Sequence, residues 1–374
     1  LVGKLTTGIL ADRFGGRRVF LISIVFCLLA TGIFGISSKV FFFSAAFFIA
    51  MFAKSAGWPC MANLIRSWFQ KNWRGRIWGV LSSSSMSSSL FTSLIMGSLL
   101  LILSWRWVIV SSLPIAGILC IVLFFYLKQS PTDVGLRAMP SVDGDDDSND
   151  PRNSHHLDDA TLGEALISFI KSSRFWLICT SIMCLTILMT FQNFLPIYLK
   201  EIFRLSSGKA GIASSAFPLG SMFSVLLGGF IFDKLTKKSR VFVLGGMMAL
   251  ATGCIVILLL LPNSHIQENS ALWVALSAIM VYGLMIAPCY LIPMSVFSVD
   301  FGGKHCGVLV GIIDAAGYLA SMIFEFWGGA VADRIDGWQQ FLFIILNISV
   351  IGTITLVLFL FIDYRSIIKS KEES

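Results

Sequence analysis

Charge is scarce in this chain. Lys, Arg, Asp and Glu make up 13% of its 374 residues, where a soluble domain carries about one quarter. That scarcity excludes an ordinary water-facing surface. Histidine is rarer: His155, His156, His265 and His305 all fall in predicted loops, so none is placed to activate a serine inside a helix. The eight cysteines are scattered, mostly within apolar runs, and no C-x-x-C occurs. They read as small apolar packing residues, not disulfides or metal ligands. No G-x-S-x-G, H-E-x-x-H or phosphate-cradling G-x-x-x-x-G-K-[ST] appears, so no enzyme reading has a motif behind it, and no cofactor is expected. Bases outnumber acids, 28 to 21. They form no patch interleaved with aromatics, which argues against nucleic acid and for membrane orientation.

What the chain has is apolar length. It is 56% hydrophobic with 32 Phe, and many runs reach the roughly 20 residues a membrane span needs. The opening stretch, Leu1 to Phe20, organises the rest. An apolar helix runs into Gly8, Asp12, Arg13, Gly15, Arg17 and Arg18, and a new apolar segment starts at Val19. A near copy appears later, with Gly229 four residues before Asp233, then Lys234, Lys237, Lys238 and Arg240. Self-similarity of this kind marks two related halves, the build of many secondary transporters.

The motif Gly8-x-x-x-Asp12-Arg13-Phe14-Gly15-x-Arg17-Arg18 resembles the loop 2–3 signature of the major facilitator superfamily. The resemblance implies an all-α polytopic membrane protein of two six-helix bundles. It also implies a gating latch of Gly8, Asp12, Arg13, Gly15, Arg17 and Arg18, repeated at Asp233 and Lys234. The plainer alternative is a helix end followed by a basic loop. The chain opens inside an apolar helix, so the reading is of a sequence that lacks the first span and part of the second. In that numbering span 2 covers 1–13, span 3 18–37, span 4 40–65, span 5 76–103 and span 6 106–127. Span 7 covers 175–199, span 8 209–232, span 9 241–261, span 10 271–298, span 11 307–332 and span 12 340–362. This gives an N-terminal bundle (1–127), a linker (128–174), a C-terminal bundle (175–362) and a tail (363–374).

Bases concentrate in the loops on the Asp12 side and in the tail. The opposite side holds Lys39, Arg106, Lys200, Arg204, Lys209 and Arg334. The asymmetry puts the Asp12 loop and the C-terminus in the cytoplasm. The linker carries SVDGDDDSNDPRNSHHLDD, too polar to bury a core; a metal site at His155 and His156 is the minor alternative. Residues 161–170 predict a short amphipathic helix at the membrane surface.

Three further stretches resemble the organophosphate:phosphate antiporters. Lys4 stands where that family has the lysine of S-K-x-x-x-G-x-x-x-D-R, with Gly3 replacing the serine. Gly57-Trp58-Pro59, Trp68-Phe69 and Arg74-Gly75 follow its second pattern, with Cys60 in place of a proline. Ser130-Pro131-Thr132-Asp133-Val134-Gly135-Leu136 follows span 6. Tyr282-Gly283 and Gly317-Tyr318-Leu319 match later. The resemblance implies exchange of a sugar or glycerol phosphate for inorganic phosphate. The chain departs from the pattern where the family binds phosphate: counting back from Pro196, the basic position of span 7 falls on Leu188, and a histidine of span 5 falls on Ser85.

Ionisable groups inside spans are functional candidates by default. Lys54 lies near the middle of span 4 with Trp58 one turn on, and is expected to replace part of the lost cation. A snorkelling or structurally paired lysine is the plain reading. Asp314, Tyr318 and Glu325 share a face of span 11. Either carboxylate is expected to pair with Lys54 or Lys4, or to titrate as a proton site. Alternatively, Glu325 is simply wet. Gln192 and Asn193, before Pro196, offer amides to a substrate or to helix packing. Tyr282 and Tyr318 are expected to shape the site. The serine run 82–89 reads first as a packing surface of small residues. The expectation is a monomeric alternating-access transporter of a small organic anion. The alternatives are a proton-coupled organic-anion symporter and a non-transporting membrane sensor.

Overall fold

Apolar runs divided by short polar turns form helices throughout, because in a bilayer only intrasegment hydrogen bonds satisfy the backbone. The computed structural model describes residues 2–69, 71–136, 162–232, 236–263, 267–302, 306–334 and 337–372. Among them there is no strand. The helices are α1 (Val2–Phe14), α2 (Gly16–Ile36), α3 (Val40–Lys54), α4 (Gly57–Trp68), α5 (Lys71–Leu99), α6 (Trp105–Tyr126) and α7 (Leu162–Lys171). They continue with α8 (Ser173–Ile202), α9 (Ser207–Ala213), α10 (Ala216–Phe232), α11 (Lys237–Leu260), α12 (Glu268–Gly302), α13 (Cys306–Ala332) and α14 (Gly337–Glu372). Among the described residues, 8 helical segments are long and apolar enough to cross a membrane.

Two expected spans are broken, each by a proline. A proline has no N–H for the carbonyl four residues back and crowds it. Pro59 acts on Ser55, and the helix interrupts at Ser55–Ala56, between α3 and α4. Pro218 acts on Ser214, and the helix interrupts at Ser214–Ser215, between α9 and α10. The carbonyl of Ser214 instead accepts from the amide of Phe217 at 3.3 Å. Span 5 starts earlier than expected, at Lys71, and the last helix continues to Glu372.

The chain forms two compact units, Leu1–Ser82 with Ser98–Asp146, and Ser83–Gly97 with Asp147–Ser374. Most of the second half of α5 therefore belongs to unit 2, although its sequence lies in the N-terminal half. There α5 and α9 touch backbone to backbone: a Cβ on Gly97 would stand 2.6 Å from the amide nitrogen of Ile212.

In unit 1, α2 packs on α3, α4 and α6, and α1 on α2 and α4. Close approach falls on two glycines. A Cβ on Gly3 would stand 2.4 Å from Ser55 Oγ, so a side chain there would require Ser55 to turn its hydroxyl away. A Cβ on Gly16 would stand 2.7 Å from the carbonyl oxygen of Cys60. At Gly8, by contrast, it would meet only Pro59 Cβ at 4.0 Å, an ordinary contact.

In unit 2, α8 packs on α12, α13 and α14, with Ile178, Ile182, Leu185, Leu188, Phe191 and Leu195 fully buried. Glycines also set the crossing of α10 and α12. A Cβ on Gly220 would stand 2.0 Å from the carbonyl oxygen of Met280, and one on Gly283 2.3 Å from that of Phe217. Small residues allow such crossings between apolar helices. The predicted amphipathic helix is α7, which belongs to unit 2 and packs one edge on α8. Phe169 is fully buried, its ring 5.8 Å from that of Phe301. Arg174, at the start of α8, stacks on Phe301 and reaches Asp363 at 3.4 Å.

Candidate functional site

The candidate residues fall into separate groups within the two units. In unit 1, Lys54 occupies the last turn of α3, at the break that Pro59 imposes, and its side chain is exposed. A cation at a helix C-terminus is favoured by the carbonyls that end there. Trp58, just past the break, is 39% exposed. The backbone of Lys4 lies in α1; its side chain is outside the described residues.

The latch residues have a different setting from the one expected. The chain turns at Gly15 with φ 87°, a conformation that favours glycine. The Gly16 amide donates to Asn63 Oδ1 at 3.1 Å, and Gln129 Nε2 donates to the same oxygen at 2.8 Å. The Arg17 amide donates to Gln129 Oε1 at 2.7 Å. The Arg17 guanidinium donates to the carbonyls of Phe124, at 2.7 Å, and Leu127. These are carbonyls at the C-terminus of α6, which has no intrahelical donors for its last turn. Trp68 Nε1 donates to the Lys128 carbonyl at 3.1 Å. Ser130 and Asp133 form a capping box over the turn Pro131–Val134. Arg17, expected in the gating latch, is here a clip that joins α2, α4 and the end of α6 inside unit 1. The motif residues Gly15, Arg17, Trp68 and the Ser130–Gly135 turn converge on this one network. Arg13 and Arg18 are exposed. The side chain of Asp12, and Asp233 and Lys234 entirely, lie outside the described residues.

In unit 2, two expected residues meet. Asn193 Nδ2 on α8 donates to Glu325 Oε1 on α13 at 2.8 Å, and both side chains are exposed. Gln192 is half-buried. Its carbonyl lacks the usual helical donor because Pro196 stands four residues on. One level away, Asp314, Tyr318 and Thr186 on α8 lie within electrostatic reach of Tyr290 on α12. Tyr318 is 39% exposed. Sequence reasoning missed Thr186 and Tyr290. Thr186 was legible, since it lies seven residues before Asn193 and therefore on the same helical face.

Tyr282 is a correction. It is fully buried, packed edge-on to Phe191, and its hydroxyl donates to the Leu188 carbonyl at 2.9 Å. It presents no surface to a solute and braces α8 against α12. Leu188 is also fully buried. In the serine run, Ser87 and Ser88 return their hydroxyls to carbonyls of their own helix, those of Ser83 and Ser85.

This is a multi-pass integral membrane protein built of helical bundles. The Major Facilitator Superfamily profile matches residues 1–325, and the chain belongs to that superfamily. It is similar to the probable hexose phosphate transport protein of Chlamydia pneumoniae, 23% identical over 96% of this chain and 79% of that one. It is also similar to sugar phosphate exchanger 3 of Bos taurus, 24% identical over 93% and 75%. Among solved structures, the D-xylose-proton symporter shares the fold, with a TM-score of 0.69 at 15% identity over 96% and 83%. A bacterial homolog of the human lysosomal transporter Spinster, inward-facing and unoccupied, also has a TM-score of 0.69, at 14% identity over 96% and 85%.

Proposed function

We propose that the chain is a secondary transporter that exchanges a sugar or glycerol phosphate for inorganic phosphate by alternating access. Membership of the superfamily supports the transport class, and the names of its relatives support the substrate. The observation that carries the reading within this chain is Lys54. An exposed ammonium at a proline-made break midway along a span is where an anion gains most, because the flanking medium screens it little. In this reading Lys54 and Lys4 attract the anion. Trp58 and Tyr318 shape the site, Gln192 and Asn193 donate to the solute, and Asp314 and Glu325 carry coupling or pairing charge. The Asp12 loop and its copy at Asp233 and Lys234 face the cytoplasm with the C-terminus, and the protein works as a monomer without catalysis.

A second reading is a proton-coupled organic-anion symporter. The observation that favours it is Asp314, a carboxylate inside α13 one turn from Tyr318 and within electrostatic reach of Tyr290. Counterflow in proteoliposomes separates the two. Labelled phosphate entering against internal phosphate with no pH gradient supports exchange. Uptake that appears only with a proton gradient replaces it with symport.

A further inference from the structure

The polar residues of α13 and α8 form two stripes that meet. On α13, Asp314, Tyr318, Ser321 and Glu325 recur at helical spacing and climb about 16 Å along one face. On α8, Thr186, Thr190 and Asn193 do the same. The stripes are held in register along their length. At one level Gly317 lies against Thr186, where a Cβ would stand 2.5 Å from Oγ1. At another the rings of Phe194 and Phe324 meet edge-on at 6.2 Å. Asn193 and Glu325 then close the pair at 2.8 Å.

The chemistry of these stripes is wrong for a phosphate. They carry two carboxylates and no Lys or Arg, so an anion would meet like charge. The Glu325 side chain is nevertheless exposed, and an acidic side chain within a span belongs by default to a bundle interior or a water-filled path rather than to acyl chains. What remains is a hydrogen-bonding pattern. Asn193 spends one N–H on Glu325 Oε1 and keeps its second N–H and its carbonyl. Glu325 keeps Oε2. Two acceptors and one donor are thereby fixed in place on packed helices, which suits neighbouring hydroxyl groups. The exposed ring of Tyr318 offers a flat apolar face to the C–H side of a sugar ring. The hydroxyls of Thr186 and Thr190 donate to their own helix, at 2.6 and 2.8 Å, and so commit their protons within α8.

We propose that the Asn193–Glu325 pair, with Tyr318, reads the uncharged hydroxyl-bearing end of the solute and sets selectivity among phosphate esters. The proposal rests on the organophosphate reading above and assigns the part of the solute that reading leaves open.

The test uses the full chain in phosphate-loaded proteoliposomes. Labelled phosphate exchange is competed with ethyl phosphate and with glucose 6-phosphate, and the ratio of their half-inhibitory concentrations is the readout. The ratio compares two ligands on the same molecules, so it is insensitive to how much protein inserts. Wild type is expected to favour the sugar ester strongly. Glu325→Leu and Asn193→Val are expected to cut the ratio by about tenfold, the loss of one hydrogen bond to a charged group. Glu325→Gln, which keeps an acceptor, is expected to stay within about threefold. Should Glu325→Leu fail to insert, Asn193→Val and Tyr318→Ala carry the comparison. An unchanged ratio in these variants overturns this inference alone. So does a Glu325→Gln protein whose ratio is intact but whose exchange has lost its dependence on pH, because the carboxylate would then serve a proton. Wild-type vesicles that exchange no phosphate overturn the organophosphate reading itself.

Discussion

Tyr282 reaches from α12 to α8 and donates its hydroxyl to the carbonyl oxygen of Leu188, 2.9 Å away. Leu188 is the position where the antiporter resemblance asks for a cation. The burial of Leu188 shows why none fits. The site is sealed, both residues are fully buried, and Phe191 and Phe217 ring the tyrosine at 6.0 and 5.8 Å. Leu188→Arg should therefore bury an unpaired charge at a cost on the order of several kcal/mol. The expected result is loss of folded protein in detergent, read by size-exclusion profile and thermal unfolding, rather than tighter phosphate binding. Tyr282→Phe removes only a neutral hydrogen bond. It should lower stability by about 1 kcal/mol, with transport retained.

The glycine pair that lets α10 cross α12 makes a sharper demand. A methyl on Gly283 would stand 2.3 Å from the Phe217 carbonyl, and one on Gly220 2.0 Å from that of Met280. Ser221 Oγ also donates to the Gly283 carbonyl at 3.1 Å across the same crossing. Backbone atoms cannot rotate away as a side chain does. Gly283→Ala and Gly220→Ala should each cost about 1–3 kcal/mol by overpacking, visible as a lower unfolding temperature. The double variant should cost less than the two singles combined, because the first already parts the helices.

These contrasts mark what the sequence could reveal. Spans were legible because an apolar run of membrane length has few other uses, and α2, α6 and α13 begin and end near their expected positions. The break at Ser55–Ala56 was legible only through Pro59, which the sequence offered as part of a motif rather than as a kink. The Asn193–Glu325 contact was half legible: helical spacing put each on a polar stripe, but spacing within one helix does not say which stripes meet. Tyr282 was not legible at all. Its helix is apolar on nearly every side, so no polar face shows where the core ends. The contacts of Arg17 were hidden for a different reason. Its partners are backbone carbonyls of Phe124 and Leu127, far along the chain, and carbonyls leave no trace in residue type.

The Arg17 clip carries its own prediction. Its guanidinium spans two carbonyls at the end of α6, and its amide holds Gln129, which in turn holds Asn63. Arg17→Ala should cost about 1.5–3 kcal/mol, as for hydrogen bonds to a charged group. Arg17→Lys should recover little, because an ammonium lacks the planar fork that reaches both oxygens. Gln129→Ala acts on the same network, so combining it with Arg17→Ala should be clearly less than additive in thermal unfolding. Strict additivity would mean that the two residues act apart.

Lys54 is the residue on which an anion-binding role and a structural role diverge most cleanly. Its side chain is exposed, and exposed substitutions away from caps and cores usually move stability by less than about 0.5 kcal/mol. Its position in the last turn of α3 adds a helix-end interaction of about 0.3–1 kcal/mol. A purely structural lysine would thus show a small drop in unfolding temperature for Lys54→Gln and an unchanged half-saturating phosphate concentration. A lysine that meets the anion loses a charged hydrogen bond worth about 1.5–3 kcal/mol, or about 10–150-fold in affinity. Lys54→Gln should therefore raise the half-saturating phosphate concentration at least tenfold with near-normal stability, and Lys54→Arg should restore most of it. A Lys54→Gln protein that saturates at the wild-type phosphate concentration would remove this lysine from the anion site.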